Sequence, residues 1–175
     1  FGGRAKFGGS FCDGCNKEDE NGHGTHVASI ACGATLGVAR KATPIAVRVL
    51  DAYGSGLNSE IIAGLNFVGE THSKSKSKKS VVNMSLGGST SKAINDAVKQ
   101  LTNAGVHVAV AADFSNIGKC LDIFAPGRNI QGANFKADNG SVVFSGTSQA
   151  TPHVAEFIVE TEQEPAVEAD FEYPN

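Results

Sequence analysis

The chain has 175 residues, of which 41% are apolar and 19% charged, with 21 glycines and a formal net charge of −3. That composition supports a single folded domain with a sizeable core and excludes a wholly disordered chain. The acidic balance argues against nucleic acid as the main partner, and no apolar run approaches the roughly 20 residues that cross a bilayer.

Residues 1–22 are polar and rich in glycine and read as an irregular loop. The apolar run from Val27 to Cys32 reads as a buried helix that begins near His23 and stops at Gly33. Residues 44–50 are β-branched between turn residues and predict a strand. Ile61, Ile62, Leu65 and Val68 recur at helical spacing, so residues 58–72 predict an amphipathic helix capped by Asn58 or Ser59. Lys74, Lys76, Lys78 and Lys79 alternate with serines in what reads as a solvated loop. A strand over 81–84 precedes a helix over 91–104 that ends at Gly105. Residues 106–112 read as a strand buried on both faces, and 121–124 as another, closed by Pro126-Gly127. A last helix starts near Ser148. Residues 160–175 carry six acidic side chains and read as a tail without packed structure, leaving 1–159 as the domain. Strand and helix alternation at these spacings implies βαβ units and a mostly parallel sheet between helical layers. Ligands then bind at the carboxyl ends of the strands.

Two blocks carry chemistry. Ser145-Gly146-Thr147-Ser148-Gln149-Ala150-Thr151-Pro152-His153-Val154-Ala155 places a serine at the head of an apolar helix. Unpaired amides and partial positive charge gather there, beside any oxyanion that develops. Gly22-His23-Gly24-Thr25-His26-Val27-Ala28 supplies histidines in a similar setting. A serine hydroxyl is a poor nucleophile until a base removes its proton, and a histidine of near-neutral pKa suits that role.

Together the blocks resemble those of the subtilisin-like serine proteases over residues 1–155. The likeness runs closest to the proteinase K-like branch and its fungal vacuolar cerevisin-type members. Arg48-Val49-Leu50-Asp51, Tyr53-Gly54-Ser55-Gly56, Asn83-Met84-Ser85-Leu86-Gly87-Gly88, Phe114-Ser115-Asn116, Gly118-Lys119-Cys120 and Asp122-Ile123-Phe124-Ala125-Pro126-Gly127 support it. The resemblance implies a three-layer α/β fold and an endopeptidase that works through an acyl-enzyme. His23 would be the base and Ser148 the nucleophile. Gly54, Ser55 and Gly56 on one side, and Ser85, Leu86 and Gly87 on the other, would hold a peptide or protein substrate as an added strand. Ala111 and Ala112 match a wall of the primary pocket. The resemblance also implies a monomer, a propeptide used in folding, and secretion or a vacuole. No signal peptide is visible at Phe1-Gly2-Gly3-Arg4. Many members bind calcium, but no metal residue is assigned here and no cofactor is expected.

The departures from the family are as informative. Its catalytic aspartate lies in an Asp-Thr-Gly or Asp-Ser-Gly turn upstream of where this chain begins, and Asp13 and Asp19 lack that motif. Its oxyanion asparagine follows Ala-Ala-Gly, whereas Asp113 and then a much later family segment follow Ala111-Ala112. Asn116 belongs to that later segment. The chain therefore reads as truncated and internally deleted. Gln149 stands for the usual methionine and Glu156 for a helix-packing glycine.

Two alternatives remain on the sequence. One is an inactive protease-derived fragment or binding module. The other is a Cys₂His₂ metal site on Cys12, Cys15, His23 and His26, although its pairs are closer together than in zinc fingers. Cys12 and Cys15 form a disulfide or remain thiols, Cys32 reads as a buried inert thiol, and Cys120 would have lost its partner with the deleted block.

Overall fold

The computed structural model describes residues 1–111 and 123–161. In chain order these form β1 (Lys6–Ser10), α1 (His23–Cys32), β2 (Ile45–Arg48), α2 (Asn58–Lys74), β3 (Val81–Met84), α3 (Lys92–Asn103), β4 (His107–Val110), β5 (Ile130–Ala133), β6 (Ser141–Phe144) and α4 (Thr147–Thr161). β1 pairs with β2 and β3 with β4, both in parallel, while β5 and β6 form an antiparallel hairpin. The result is a three-layer α/β fold in which α2 packs with α3 and α1 with α4.

Local chemistry sets the element ends. The Ser91 side chain accepts the Ile94 amide at 3.4 Å and starts α3. At the other end Gly105 sits at φ 88°, a conformation that costs glycine nothing. The Gly105 amide then reaches Thr102 O and the Val106 amide reaches Leu101 O, each at 3.0 Å. This is the double closure of a Schellman turn. It also places Val106 against Leu101 in a core cluster with Leu65, Met84 and Ala97. α2 faces two ways. Leu65 enters that cluster, while the neighbouring Gly64 lies so close to β2 and the residue after it that a Cβ would stand 3.2 Å from the Val47 side chain and 2.6 Å from that of Val49.

The helices at His23, 58–72 and 91–104, and the strands at 44–50 and 81–84, form as the sequence pattern predicts, but the N-cap of α2 is Leu57 and not Asn58 or Ser59, because the Glu60 carboxylate reaches back to the Leu57 amide. Three further readings need correction. Residues 1–22 are not all loop, because Lys6–Ser10 forms β1. Its Gly-Gly pair hides the strand pattern, and Gly8 is needed: a Cβ there would stand 2.9 Å from both Ile45 and Phe67 side chains. β4 is not buried on both faces. Ala109 is buried, but Val110 is 54% exposed, since β4 is paired only to β3 among the described residues. Ile123 and Phe124 are not in a strand, and the other half of that reading lies outside the described residues. The β5–β6 hairpin was not foreseen from the sequence.

α1 holds that hairpin. The His26 ring is fully buried, meets Val142 O through Nε2 at 3.2 Å, and lies 4.5 Å from the Phe144 ring. Ser29 Oγ accepts the Ala133 amide at 2.7 Å and donates to His26 O at 2.7 Å. Gly132 lies flat against the imidazole, where a Cβ would stand 2.6 Å from the ring.

Two outcomes follow for urea denaturation. Leu101→Ala should cost about 2–4 kcal/mol through the cavity it leaves. Gly132→Ala should cost about 1–3 kcal/mol by displacing His26, and Gly14→Ala, at a position with open space but φ 69°, should cost less.

Candidate functional site

The carboxyl ends of β3 and β4 come together where the Ala111 amide donates to Met84 O at 3.0 Å. The next residue, Ser85, is buried and meets the head of α4. Pro152 explains how. It sits inside α4 and has no N–H, so the Ser148 carbonyl loses its partner one turn on. Ser85 Oγ fills that vacancy at 2.8 Å. Ser85 Oγ in turn accepts Asn83 Nδ2 at 2.9 Å. The Ser148 hydroxyl answers by donating to Ser85 O at 3.3 Å. Ser148 is thus pinned through backbone and side chain to the end of β3. The turn before it is closed by the Gly146 amide on Gly127 O at 2.7 Å. A hollow of about 430 Å³ borders the same turn, walled mainly by Gly127, Gly146, Thr147 and Ala150, with Arg128 beside them.

His23 opens α1, whose N-cap is Gly22 at φ 98°, with no capping side chain of its own and no acidic residue in the first turn. Asp19 supplies the cap from outside the helix. One carboxylate oxygen accepts the Asn21 and Gly22 amides at 3.0 and 2.7 Å. The other accepts the Thr25 amide at 2.8 Å and the Thr25 hydroxyl at 2.6 Å. Burial works against the ionised Asp19 carboxyl, but these hydrogen bonds outweigh it and hold its pKa below the ordinary value. At His23, burial pushes the imidazole pKa down and the nearby His26 adds to that, while Asp19 opposes both. His23 therefore favours its neutral form.

The loop before His23 is tied down from several directions. Cys12 and Cys15 form a disulfide, with Cα atoms 5.4 Å apart. Arg48, 11% exposed at its side chain, donates to Asn16 O and Glu18 O and pairs with Glu20 at 2.8 Å. Glu60 accepts the Asp13 amide at 2.9 Å and the Leu57 amide at 2.7 Å. Asn21 bridges onward: its side chain accepts the His23 amide at 3.3 Å and donates to Ala52 O at 3.1 Å. That anchors the exposed Gly54, Ser55 and Gly56 segment, which Asp51 also braces by accepting the Tyr53 and Ser55 amides.

Of the residues expected in the site, Ser85 and Ser148 are in direct contact, with Leu86 and Gly87 continuing from Ser85 and Ala111 beside it. His23 and Ala52, just before the Gly54 segment, are linked through Asn21. No hydrogen bond joins His23 to Ser148 among the described residues. Ala112, Asp113, Asn116 and Cys120 lie outside those residues. Asp19, Asn21 and Arg48 escaped the sequence reading as positioning groups. The available signal was an aspartate three residues before a glycine N-cap. The disulfide removes both thiolates from the Cys₂His₂ alternative, and His26 is committed to the hairpin. Cys32 is a buried free thiol, as expected.

Glu156 lies on the α4 face that meets α1 and is 5% exposed. One oxygen meets His153 Nδ1 at 2.8 Å, and the other is held by no side chain among the described residues and feels only the Val38 amide. The charge is therefore half-compensated rather than unpaired. Burial pushes the Glu156 pKa up, against the His153 hydrogen bond and charge and the Val38 amide, and with Glu160 adding to the rise.

Two pH-dependent outcomes follow. Asp19→Ala should cost about 1–2 kcal/mol at neutral pH. Because the Asp19 pKa is depressed, that deficit should fade as pH drops below 3.8, measured by urea unfolding. Asp19→Asn should also move the His23 titration further down by NMR. Glu156 has the opposite sign. Its contribution is fully present below 4.5 and is lost as pH rises through its raised folded pKa. Glu156→Gln should therefore match the parent near pH 4 and be the more stable chain at pH 8.

Comparison with known proteins bears on the family. A protein 46% identical over 186 aligned residues is "Subtilisin-like protease 2" of Pseudogymnoascus destructans. Another, 41% identical over 187, is "Subtilisin-like serine protease Pen ch 13" of Penicillium rubens. Each alignment covers 89% of this chain but 46% of the relative, so the chain spans about half the length of the curated relatives it matches. The crystal structure of a cold adapted subtilisin-like serine proteinase superposes with a TM-score of 0.83 at 36% identity, covering 93% of this chain and 70% of that one. The sequence model of the Subtilase family matches residues 12–112 and 109–167. On fold and sequence alike, the chain belongs to the subtilase family.

Proposed function

We propose that this chain carries the catalytic face of a serine endopeptidase, with Ser148 as nucleophile and His23 as general base and acid. The observation that carries the reading is the placement of Ser148 at the head of α4, pinned to the carboxyl end of β3. In the proposed reaction the Ser148 hydroxyl leaves Ser85 O and gives its proton to neutral His23 as its oxygen attacks the peptide carbonyl. The tetrahedral adduct collapses to an acyl-enzyme, and the amine leaves with the proton from His23. Water, deprotonated by His23, releases the acid. Ser85, Leu86 and Gly87, facing Gly54, Ser55 and Gly56, hold the substrate backbone as an added strand, with Ala111 and Ala112 at the pocket wall.

The finer assignment is to the proteinase K-like, cerevisin-type branch. Its support is the set of motifs around Arg48, Asn83 and Asp122 and the fungal origin of the matched relatives. Secretion or vacuolar residence belongs to the same reading, as do a monomeric domain over 1–159 and an acidic tail over 160–175. α4 runs to Thr161, and residues 162–175 lie outside the described ones.

We further infer that this chain on its own is a very weak protease. No carboxylate is hydrogen-bonded to the His23 ring among the described residues, and Asp19 is committed to backbone amides and to Thr25. The internal gap supports the same view. The relatives align over 186 residues to 89% of a 175-residue chain, so they carry residues without counterparts here. The family match also breaks at 109–112, where the oxyanion asparagine is expected. In subtilisin, loss of the triad aspartate costs about 3 × 10⁴ in kcat, and loss of the oxyanion asparagine about 10²–10³.

The test is a fluorophosphonate probe with a chromogenic peptide assay on the folded chain. Ser148→Ala should abolish labelling of the active-site peptide, and labelling that survives it unchanged would overturn the nucleophile. Turnover should lie at least about 10⁴-fold below an intact homologue. Turnover within about tenfold of that homologue, abolished by Ser148→Ala, would overturn the inference of weak activity.

A further inference from the structure

We propose that Asn139 is an acceptor for an N-linked oligosaccharide, transferred from a polyprenyl-diphosphate donor in the secretory pathway. The inference rests on the secretory reading above and on a different part of the molecule. The pattern Asn-x-Ser, with x other than proline, occurs in the sequence at Asn83-Met84-Ser85 and at Asn139-Gly140-Ser141. Such a tripeptide accepts a glycan where it lies on the surface of a secreted protein.

The two copies differ sharply in setting. Asn139 is exposed, in the turn that joins β5 to β6, with Lys136, Ala137 and Asp138 exposed before it. The turn is closed without its amide. The Asn134 amide reaches Gly140 O at 2.9 Å, the Gly140 amide reaches Ala137 O at 3.0 Å, and Asn134 Oδ1 accepts the Lys136 amide at 3.0 Å. The Asn139 side chain makes no hydrogen bond among the described residues. Close packing requires Gly140, where a Cβ would stand 2.7 Å from that of Ala137. It does not require Asn139. A glycan on Nδ2 would project into solvent and disturb no contact.

Asn83 is the reverse case. It lies in β3 beside buried Met84 and Ser85, and its Nδ2 donates to Ser85 Oγ, the group that holds the Ser148 carbonyl. A glycan there would break the tether and could not fit the packed strand. An independent observation points to the same compartment: Cys12 and Cys15 are joined in a disulfide, the state that oxidising lumens favour.

The transfer balances simply. A bond forms between Asn139 Nδ2 and the anomeric carbon of the sugar, and the bond from that carbon to the diphosphate oxygen breaks. Nδ2 loses one proton, and the polyprenyl diphosphate leaves.

The experiment expresses the 175-residue chain in a yeast behind a cleavable secretion leader, so that it enters the lumen whatever its native route. A negative result then counts against the site and not against the secretory reading. Treatment with a peptide-N-glycosidase should lower the apparent mass and convert Asn139 to aspartate, as read by peptide mapping. Asn139→Gln and Ser141→Ala should each abolish the mass change, and Ser141→Thr should keep it. Unmodified Asn139 in the lumenal chain, or an undiminished mass change in Asn139→Gln, would overturn the proposal. So would a glycan on Asn83 in the secreted, folded protein.

Discussion

The candidate site depends on one missing hydrogen-bond donor. Pro152 removes the amide that would close the second turn of α4 on the Ser148 carbonyl. A buried carbonyl left alone is costly, of the order of 1–3 kcal/mol, so its satisfaction by Ser85 Oγ is structural as well as positional. The proline is itself among the most fully buried side chains. The nucleophile candidate is thereby placed not by its own helix alone but by the end of a strand 63 residues earlier in the chain. β3 inherits its position from the Leu65, Met84, Ala97, Leu101 and Val106 cluster. Core packing and the aim of Ser148 are linked through one serine.

The histidine side is built on a different principle. Among the described residues no strand end holds His23. A loop does, and loops need staples to keep a fixed shape. The Cys12–Cys15 disulfide shortens it, Arg48 and Glu60 clamp it, and Asp19 bonds it to the first turn of α1. Asp19 therefore sets both the geometry and part of the field at His23. His26, three residues on, serves the opposite purpose. Buried and held neutral by its surroundings, it joins α1 to the β5–β6 hairpin. Two histidines one helical turn apart are thus divided between the candidate site and the core.

Glu156 shows how such a fold carries a local conflict. It brings a carboxylate into the α1–α4 contact, beside buried Cys32. His153 supplies one partner from the same helix, three residues away. The pair lies on the helix that begins with Thr147 and Ser148, so the interface that relates the two halves of the site contains a titratable group.

Much of this was legible in the sequence. Periodicity and caps located α1, α2 and α3, because an amphipathic face and its end signals are local. The blocks around His23 and Ser148 announced the family, since their glycines, prolines and hydroxyls are needed in that order by turn and helix-end chemistry. What the sequence did not reveal depends on partners distant in the chain. β1 is a strand only because β2 pairs with it, and its glycines conceal the alternation. The hairpin of β5 and β6 lies where His26 and Ser29 of α1 receive it, more than a hundred residues away. Asp19 becomes a cap only when the loop folds back on Thr25, and Ser85 becomes a tether only because Pro152 frees a carbonyl across the molecule. Local propensity is written residue by residue, whereas the satisfaction of a buried polar group is decided by whichever atoms the tertiary fold brings within about 3 Å.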